Sequence, residues 1–189
     1  VDNNAVTIVV IQPDGKIIIG GTFTAVAGVP HNRIARLASN GELDPSFDPG
    51  QGADGDVNSI ALQSDGKILV GGRFTTFNGR AEKFIVRLNG DGSIDDTFNV
   101  GNGPNAPIFP VSVQADGKII VAGQFSSVNG VARQVMARLN SDGSLDPSFG
   151  NGGKVRGPLG SATVFAVASQ PDDRLVVAAG GRIARFLND

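Results

Sequence analysis

One residue pattern recurs every 51 residues along this chain, and it restricts the fold more than any other feature of the sequence. The pattern begins with an Asp-Gly-Lys turn, which occurs at 14–16, 65–67 and 116–118. A fourth copy at 170–174 is degenerate, since it reads Gln-Pro-Asp-Asp-Arg. Sequences with such a period fold as stacked repeats, because one unit alone cannot bury its apolar surface. We therefore divide the chain into repeats at about 6–56, 57–107, 108–163 and 164–189.

Four antiparallel strands are predicted in each complete repeat. In the second repeat, apolar segments 57–63 and 67–74 flank a Ser-Asp-Gly turn, which is typical of a hairpin. Segments 84–88 and 93–98 predict a second hairpin around Asp91-Gly92. The fourth repeat lacks the residues of its final strand, so its sheet is expected to be incomplete. Since no segment has apolar residues at helical spacing, we expect essentially no α-helix.

The second strand of each repeat carries three successive aliphatic residues, at 17–19, 68–70 and 119–121. Successive residues of a strand point to opposite faces, so both faces of this sheet must be buried. A β-propeller buries them by stacking four-stranded blades radially. A sandwich would leave one face in water, and the rungs of a parallel β-helix are typically shorter than this unit. The fold class favoured is therefore all-β, a propeller of about four blades.

Composition excludes several classes of protein. With 40% hydrophobic and 18% charged residues, the chain is expected to be globular. The net charge is -2, and the Lys and Arg residues are scattered singly, so we expect no nucleic-acid partner. No apolar run approaches the roughly 20 residues of a membrane span, so membrane insertion is not expected. The chain has no cysteine, which excludes disulfides.

The repeat resembles a known family. Residues 57–74 read Val-x-x-Ile-Ala-x-Gln-x-Asp-Gly-Lys-Ile-Leu-Val-Gly-Gly-x-Phe, and residues 138–149 read Arg-Leu-Asn-x-Asp-Gly-Ser-Leu-Asp-x-x-Phe. This motif is similar to the delta-60 repeat of bacterial proteins, and it covers nearly the whole chain. The resemblance implies a β-propeller module without established enzymatic activity. It also implies a place in a large secreted or cell-surface protein, hence an extracellular location.

The degenerate fourth repeat leaves three arrangements open, if 1–189 form one domain. The repeats can close a four-bladed ring whose last blade is incomplete, or they can form a half-ring that pairs with a second copy. They can also be part of a longer array. An open blade face exposes an apolar sheet that is expected to seek a partner, so a homo-oligomer that completes the ring is one prediction.

An Arg and an Asp lie eight residues apart in each of the first three repeats. The pairs are Arg36 with Asp44, Arg87 with Asp95, and Arg138 with Asp146. If a three-residue turn with a glycine bulge joins their strands, the two side chains lie opposite each other. The favoured interpretation is a structural ion pair in every blade. The alternative is a ring of charges that binds a ligand.

Two turns carry the oxygen-rich spacing of a calcium loop. Their residues are Asn89, Asp91 and Asp95 in the second repeat and Asn140, Asp142 and Asp146 in the third. The bidentate Glu of an EF-hand is absent, and turn chemistry alone explains Asn-x-Asp-Gly. We therefore predict no bound metal and no cofactor, with calcium at these six residues as the weaker hypothesis.

Two groups of residues are candidates for ligand binding. The glutamines at the end of the first strand are Gln12, Gln63, Gln114 and Gln170, and they either line a polar channel mouth or bond the adjacent turn. Phe77 and Phe109, together with Phe84, fall outside the repeat pattern of the phenylalanines. They are the aromatic candidates for a binding surface, and the alternative interpretation is that they are buried in the core.

The predicted function is binding or scaffolding rather than catalysis. His31 is the only histidine, and no cysteine accompanies it, so no nucleophile pair or zinc site is expected. The predicted ligand, a protein or a glycan, meets the polar loops at 24–33, 75–83, 99–109 and 150–163. One rival is a glycan-hydrolysing enzyme, which needs two converging acids among Asp54, Asp56, Glu82 and Asp96. The other rival is a self-assembling structural module.

Overall fold

The computed structural model describes residues 4–150, 163–170, 172 and 174–186. Within these residues every regular element is a β-strand, which confirms the all-β prediction. The predicted loop at 150–163 lies largely outside the described residues, as do two positions of the degenerate fourth turn, Pro171 and Asp173. The described residues contain no helix that could cross a membrane.

The first three repeats share one sequence of five strands. In the first repeat these are β1 (Val6–Ile11), β2 (Ile17–Gly21), β3 (Ala25–Val26), β4 (Val29–Pro30) and β5 (Ile34–Leu37). In the second they are β6 (Val57–Leu62), β7 (Ile68–Gly72), β8 (Thr76–Phe77), β9 (Arg80–Ala81) and β10 (Ile85–Leu88). In the third they are β11 (Ile108–Val113), β12 (Ile119–Gly123), β13 (Ser127–Val128), β14 (Val131–Ala132) and β15 (Met136–Leu139). The fourth repeat has β16 (Val164–Ser169), β17 (Leu175–Ala179) and β18 (Arg182–Phe186).

Each repeat forms a three-stranded antiparallel sheet whose middle strand carries the aliphatic triplet. The orders are β1-β2-β5, β6-β7-β10, β11-β12-β15 and β16-β17-β18. Each first strand has a register shift near its start, as between Val57 and Ser59. The Asp-Gly-Lys turn connects the first two strands, since the N–H of Gln63 donates to the carbonyl of Lys67. The predicted first hairpin of every repeat is therefore present.

The predicted fourth strand is reduced to a single bridge in each of the first three repeats. The bridges join Leu37 with Leu43, Leu88 with Ile94, and Leu139 with Leu145. In the first repeat the chain turns directly after its bridge, because the Asp44 carboxylate accepts the N–H of Ser46 at 3.0 Å. Such a side-chain turn competes with the strand ladder, and Pro45 has no N–H to donate to it. The four-strand prediction is corrected to three strands and a bridge.

A small hairpin replaces the long polar loop expected at 75–83. β8 and β9 pair across Asn78-Gly79, whose φ angles of 48° and 74° suit a tight two-residue turn. The same hairpin forms at β3 with β4 and at β13 with β14. Phe84 has a φ of 67°, so β10 begins one residue later than predicted, at Ile85.

The chain divides into two compact units, Val1–Asp95 and Asp96–Asp189. In the first unit, Ile18 and Ile34 of the first repeat share a core with Val70 and Val86 of the second. In the second unit, Ile120 and Met136 of the third repeat pack with Val177 of the fourth. Neighbouring sheets within each unit thus bury each other's faces, as the triplets predict. The single-domain boundary of 1–189 remains a prediction.

Candidate functional site

A pocket of about 380 Å³ lies in the second unit, beside the third repeat. It is lined by Gly123, Gln124, Phe125, Ser126, Gln134, Val135 and Thr163. Gly123 ends β12 and the next three residues follow it, whereas Gln134 and Val135 precede β15 and Thr163 precedes β16. We call it the third-repeat pocket. None of these lining residues has a titratable side chain, so the pocket offers two amides and two hydroxyls together with the apolar side chains of Phe125 and Val135.

Two substitutions relative to the first repeat explain why this pocket is open. The position of Val135 is occupied by Arg33 in the first repeat, and the position of Thr163 by Asp56 at the start of the second. Arg33 reaches across there, with its Nε 3.9 Å from the Asp56 carboxylate. Its Nη1 also donates to the Phe23 carbonyl at 3.3 Å. Val135 and Thr163 are shorter and uncharged, so this ion pair cannot form in the third repeat.

The backbone around the pocket is held by hydrogen bonds. The N–H of Gly123 donates to the Val135 carbonyl at 2.9 Å, and the N–H of Val135 donates to the Phe125 carbonyl at 3.2 Å. Val135 has a φ of 56°, which is unusual for a β-branched residue. The Ser126 hydroxyl accepts from the Asn105 amide at 3.0 Å. These bonds hold the backbone at Gly123, Phe125 and Val135 and orient the Ser126 hydroxyl.

A buried arginine lies next to the lining residue Gln134 in the chain. Arg133 is buried, and its Nη1 donates to the Ala132 carbonyl at 2.8 Å. Its Nε is also buried but has no hydrogen-bond acceptor. Since most buried donors are paired, this leaves one unsatisfied donor beside the third-repeat pocket. His31 and Glu82 occupy the equivalent position of the first and second repeats.

The eight-residue Arg-Asp spacing forms the expected ion pairs. The Nε of Arg36, Arg87 and Arg138 lies 2.8, 2.6 and 2.8 Å from Oδ2 of its aspartate. The first pair illustrates the predicted turn, because Gly41 has a φ of 88° and the N–H of Asp44 donates to the Arg36 carbonyl. All three pairs are buried within their sheets, which favours the structural interpretation over a ligand ring.

A lysine completes each ion pair, which the sequence analysis missed. Lys16, Lys67 and Lys118 of the repeated turns place their Nζ 3.0, 2.6 and 3.2 Å from the same aspartates. The recurrence of these lysines in the sequence could have indicated a shared role. The sequence does not show, however, that their side chains extend across the sheet to the aspartates. Arg36 also donates from Nη1 to the Gly90 carbonyl at 2.5 Å, which ties the first repeat to the second.

These contacts lower the pKa of two aspartates well below the usual range. For Asp44 the hydrogen bond from the Ser46 hydroxyl lowers the pKa most, and Lys16 and Arg36 add to it. For Asp146 burial raises the pKa, but bonds from Ser148, Lys118 and Arg138 outweigh it and lower the pKa. Both side chains are therefore ionised at neutral pH.

The calcium candidates are occupied by donors of the chain itself. The Asp91 carboxylate accepts the hydroxyl of Ser93 at 2.7 Å, and Asp142 accepts that of Ser144 at 2.7 Å. Asn89 and Asn140 donate their amides to the same two serines, and Asp95 and Asp146 hold the ion pairs. Within the described part of the chain, no three acidic or histidine side chains group as metal ligands. Calcium at these six residues stays an untested hypothesis.

The repeated glutamines differ in their surroundings. The amide oxygens of Gln12 and Gln170 are buried without a hydrogen-bond donor, whereas that of Gln63 lies 3.5 Å from Nη1 of Arg87. The side chain of Gln114 is buried. What closes the turn in each case is the backbone, since the N–H of Gln12 donates to the Lys16 carbonyl at 2.8 Å. None of the four lines the third-repeat pocket, so their binding role remains a prediction.

The aromatic candidates are sorted by burial. Phe77 is 0% exposed and packs edge-on against Phe74, with ring centroids 6.0 Å apart, so its ring is not available to a surface ligand. Phe109 and Phe84 are half-buried. The exposed aromatic is Phe165 of β16, which the sequence analysis did not single out. It occupies in the fourth repeat the position that Phe109 has in the third.

The acids of the rival enzyme hypothesis have separate partners. The Asp54 carboxylate accepts the backbone N–H groups of Thr75 and Thr76 at 2.7 and 2.9 Å. Asp56 faces Arg33, and Glu82 lies 3.4 Å from Arg80. His31 is half-buried, and burial lowers its pKa, against which Asp48 acts. Asp54 is thus used in a turn, and Asp56 and Glu82 are used in ion pairs of the first unit. Asp96 belongs to the second unit and is not among the lining residues of the third-repeat pocket.

Solved structures of β-propellers resemble this chain in fold. The WD40 propeller domain of Doa1 matches 96% of the chain with a TM-score of 0.63 and 14% identity. A gluconolactonase from Xanthomonas campestris matches 94% with a TM-score of 0.55 and 18% identity. PorZ, a surface component of the type-IX secretion system of Porphyromonas gingivalis, matches 96% with a TM-score of 0.58 and 14% identity. The chain spans 50%, 55% and 26% of these three, respectively.

The repeated sheets and these similarities define a repeat protein of the β-propeller class. A family model for a β-propeller domain of unknown function, DUF5122, matches residues 12–47, 63–98 and 114–149, more than half of the chain. The chain therefore belongs to the DUF5122 β-propeller family. No curated protein matches it.

Proposed function

We propose that this chain is a non-enzymatic binding module that holds a neutral, hydroxyl-rich ligand, such as the end of a glycan, in the third-repeat pocket. The observation that carries the proposal is the lining of that pocket, which combines two amides and two hydroxyls with the apolar side chains of Phe125 and Val135. Amides and hydroxyls donate and accept hydrogen bonds, which suits sugar hydroxyls. A volume of about 380 Å³ lies within the range of small-molecule sites.

The absence of charge from the lining separates this proposal from glycan hydrolysis. Hydrolysis of a glycosidic bond generally needs two carboxyl groups on either side of the bond. The third-repeat pocket is lined by no acid among its described residues. Asp54, Asp56 and Glu82 are held by other partners in the first unit. The gluconolactonase resembles this chain in fold alone, and a fold hosts many functions.

Filling the pocket tests the proposal. The double substitution V135R and T163D restores in the third repeat the residue pair that spans the gap in the first. We expect it to abolish binding of a neutral oligosaccharide, measured by calorimetry after a glycan-array screen, while the melting temperature is retained. Gln134→Ala is expected to weaken binding by about tenfold, the worth of one or two lost hydrogen bonds.

Lys83→Ala is the matched control, because Lys83 occupies the position of Gln134 in the second repeat and is exposed. It is expected to bind as the parent does. If the double variant V135R and T163D bound the oligosaccharide as tightly as the parent chain, the third-repeat pocket would not be the binding site. Turnover of the bound oligosaccharide would overturn the non-enzymatic part of the proposal.

The proposal places the module outside the cell, as part of a delta-60 type surface protein. The repeat motif supports this, and PorZ, which has a similar fold, is itself described as a bacterial surface component. Protease treatment of intact cells tests whether the chain lies outside the cell. Digestion of the chain without lysis is expected, whereas full protection until lysis would contradict it.

A further inference from the structure

Neighbouring repeats pack in one defined way within each unit. We call the face of a sheet that meets the preceding repeat its upstream face, and the opposite one its downstream face. In the first unit the downstream face of the first repeat, with Ile18 and Ile34, packs on the upstream face of the second, with Ile60 and Val70. A Cβ added to Gly20 would lie 2.9 Å from Ile60, which shows how closely these faces approach. The second unit repeats the arrangement with its own two sheets.

The upstream face of the first repeat is exposed along β1, although Ile19 and Ala35 on the same face are buried. Val9 and Ile11 pair with Ile19 and Ile17 on this face and are 56% and 69% exposed. Ile60 occupies the position of Val9 in the second repeat and is only 6% exposed. Ile60 is buried because the first repeat packs on it, and no such contact buries Val9. Val9 and Ile11 therefore mark a docking face without its partner.

The downstream face of the fourth repeat is uncovered as well. Ile183 pairs with Ala178 in the way that Met136 pairs with Ala122 in the third repeat. Met136 is 1% exposed beneath the fourth repeat, whereas Ile183 is 80% exposed. Phe165 on the same sheet is 68% exposed. The chain thus presents one open face of each kind.

We propose that the upstream face of the first repeat binds the downstream face of the fourth repeat of a second copy of this chain, head to tail. The two faces are of opposite kinds, and faces of these kinds already pack together in each unit. A contact between two different faces is heterologous, so each copy uses both.

Repeat equivalence gives the register of this contact. Gly20 lies against Ile60 and Val57, so Ala178, which has the position of Gly20 in the fourth repeat, meets Val9 and Val6 of the second copy. A polar contact follows in the same way. Arg36 donates to the Gly90 carbonyl of the next repeat, so the exposed Arg185 of one copy donates to the Ser39 carbonyl of the other.

Engineered cysteines test the register, because the chain has no cysteine of its own. Equimolar Val9→Cys and Ala178→Cys chains are mixed and oxidised. We expect a covalent dimer of twice 19.4 kDa from the mixture and little from either variant alone. Cross-linking of each variant with itself as readily as with the other would overturn the head-to-tail geometry.

Sedimentation tests whether the association occurs at all. The unmodified chain at about 100 µM is expected to sediment with at least twice the mass of one chain. Ile11→Glu or Ile183→Glu, on either face, is expected to weaken the association by at least about tenfold. The matched control is Val29→Glu, because Val29 is 45% exposed on the β3–β4 hairpin, away from both faces. A monomeric parent chain, or equal loss with Val29→Glu, would overturn the proposal.

Discussion

At the scale of single residues, each complete repeat contains one aspartate that organises a buried cluster. Asp44 accepts from Arg36 and Lys16 through one carboxylate oxygen and from Ser46 through the other. Burying a carboxylate is much less costly in free energy when both of its oxygens are paired or hydrogen-bonded than when the charge has no partner. The same residues recur around Asp146. The cluster therefore holds the third strand to the turn that replaces the fourth.

Asp44→Asn tests the charge of this cluster. The lowered pKa of Asp44 means that its stabilisation is present above the pKa of an unfolded aspartate and is lost as the pH falls through the lower folded value. We expect the free energy of unfolding to fall by about 3 kcal/mol at neutral pH, since Arg36 loses its partner. Urea titrations should also show a weaker loss of stability below about pH 5 than in the parent. Asp14→Asn, at an exposed turn, is the control, and an equal effect there would contradict the account.

Two phenylalanines are expected to contribute very differently to stability, although they are the same type of residue. Phe77→Ala is expected to lower the free energy of unfolding by about 3 to 5 kcal/mol, because its ring is fully buried against Phe74. Phe165→Ala is expected to change it by less than about 0.5 kcal/mol at concentrations where the chain is monomeric. Chemical denaturation measures both. Similar costs for the two would contradict the burial that separates them.

At the scale of elements, the tight hairpins depend on residues that accept a positive φ. Asn78 and Gly79 form the turn between β8 and β9. Gly79→Ala is expected to cost about 1 kcal/mol, because the added methyl group meets only Gln51 at 3.8 Å and the backbone supplies the strain. Gly90→Ala is the control, since this glycine has no positive φ. Thermal unfolding that gave the same cost for both would contradict this view.

Strands and turns were predictable wherever local chemistry decides them. The Asp-Gly-Lys hairpins and the Arg36–Asp44 spacing follow from period-two alternation and turn residues. The absence of a full fourth strand was not predictable, because it depends on the Asp44 side chain. Its carboxylate accepts the Ser46 N–H in place of a hydrogen bond to a neighbouring strand. The third-repeat pocket was not predictable either. It arises where Val135 and Thr163 are too short to meet, and their proximity depends on how the next repeat packs.

At the scale of the whole molecule, the middle strand of a repeat is shielded from water on both of its faces. Ile68, Leu69 and Val70 are all fully buried, although successive side chains point to opposite faces of β7. A sheet with one wet face would not bury three consecutive aliphatic residues. The proposed head-to-tail contact applies the same principle to the exposed residues of the first and fourth repeats.

The most direct measurement compares Leu69→Ala with Val70→Ala, which truncate neighbouring side chains on opposite faces of one strand. The free energy of unfolding, taken from urea titrations of the monomeric chain, is expected to fall by about 2 to 5 kcal/mol for each. Ile11→Ala, on the uncovered face of the first repeat, is expected to cost less than about 1 kcal/mol. A change within about 0.5 kcal/mol for either Leu69→Ala or Val70→Ala would show that one face of the sheet lies in water, and would contradict the stacked-blade account.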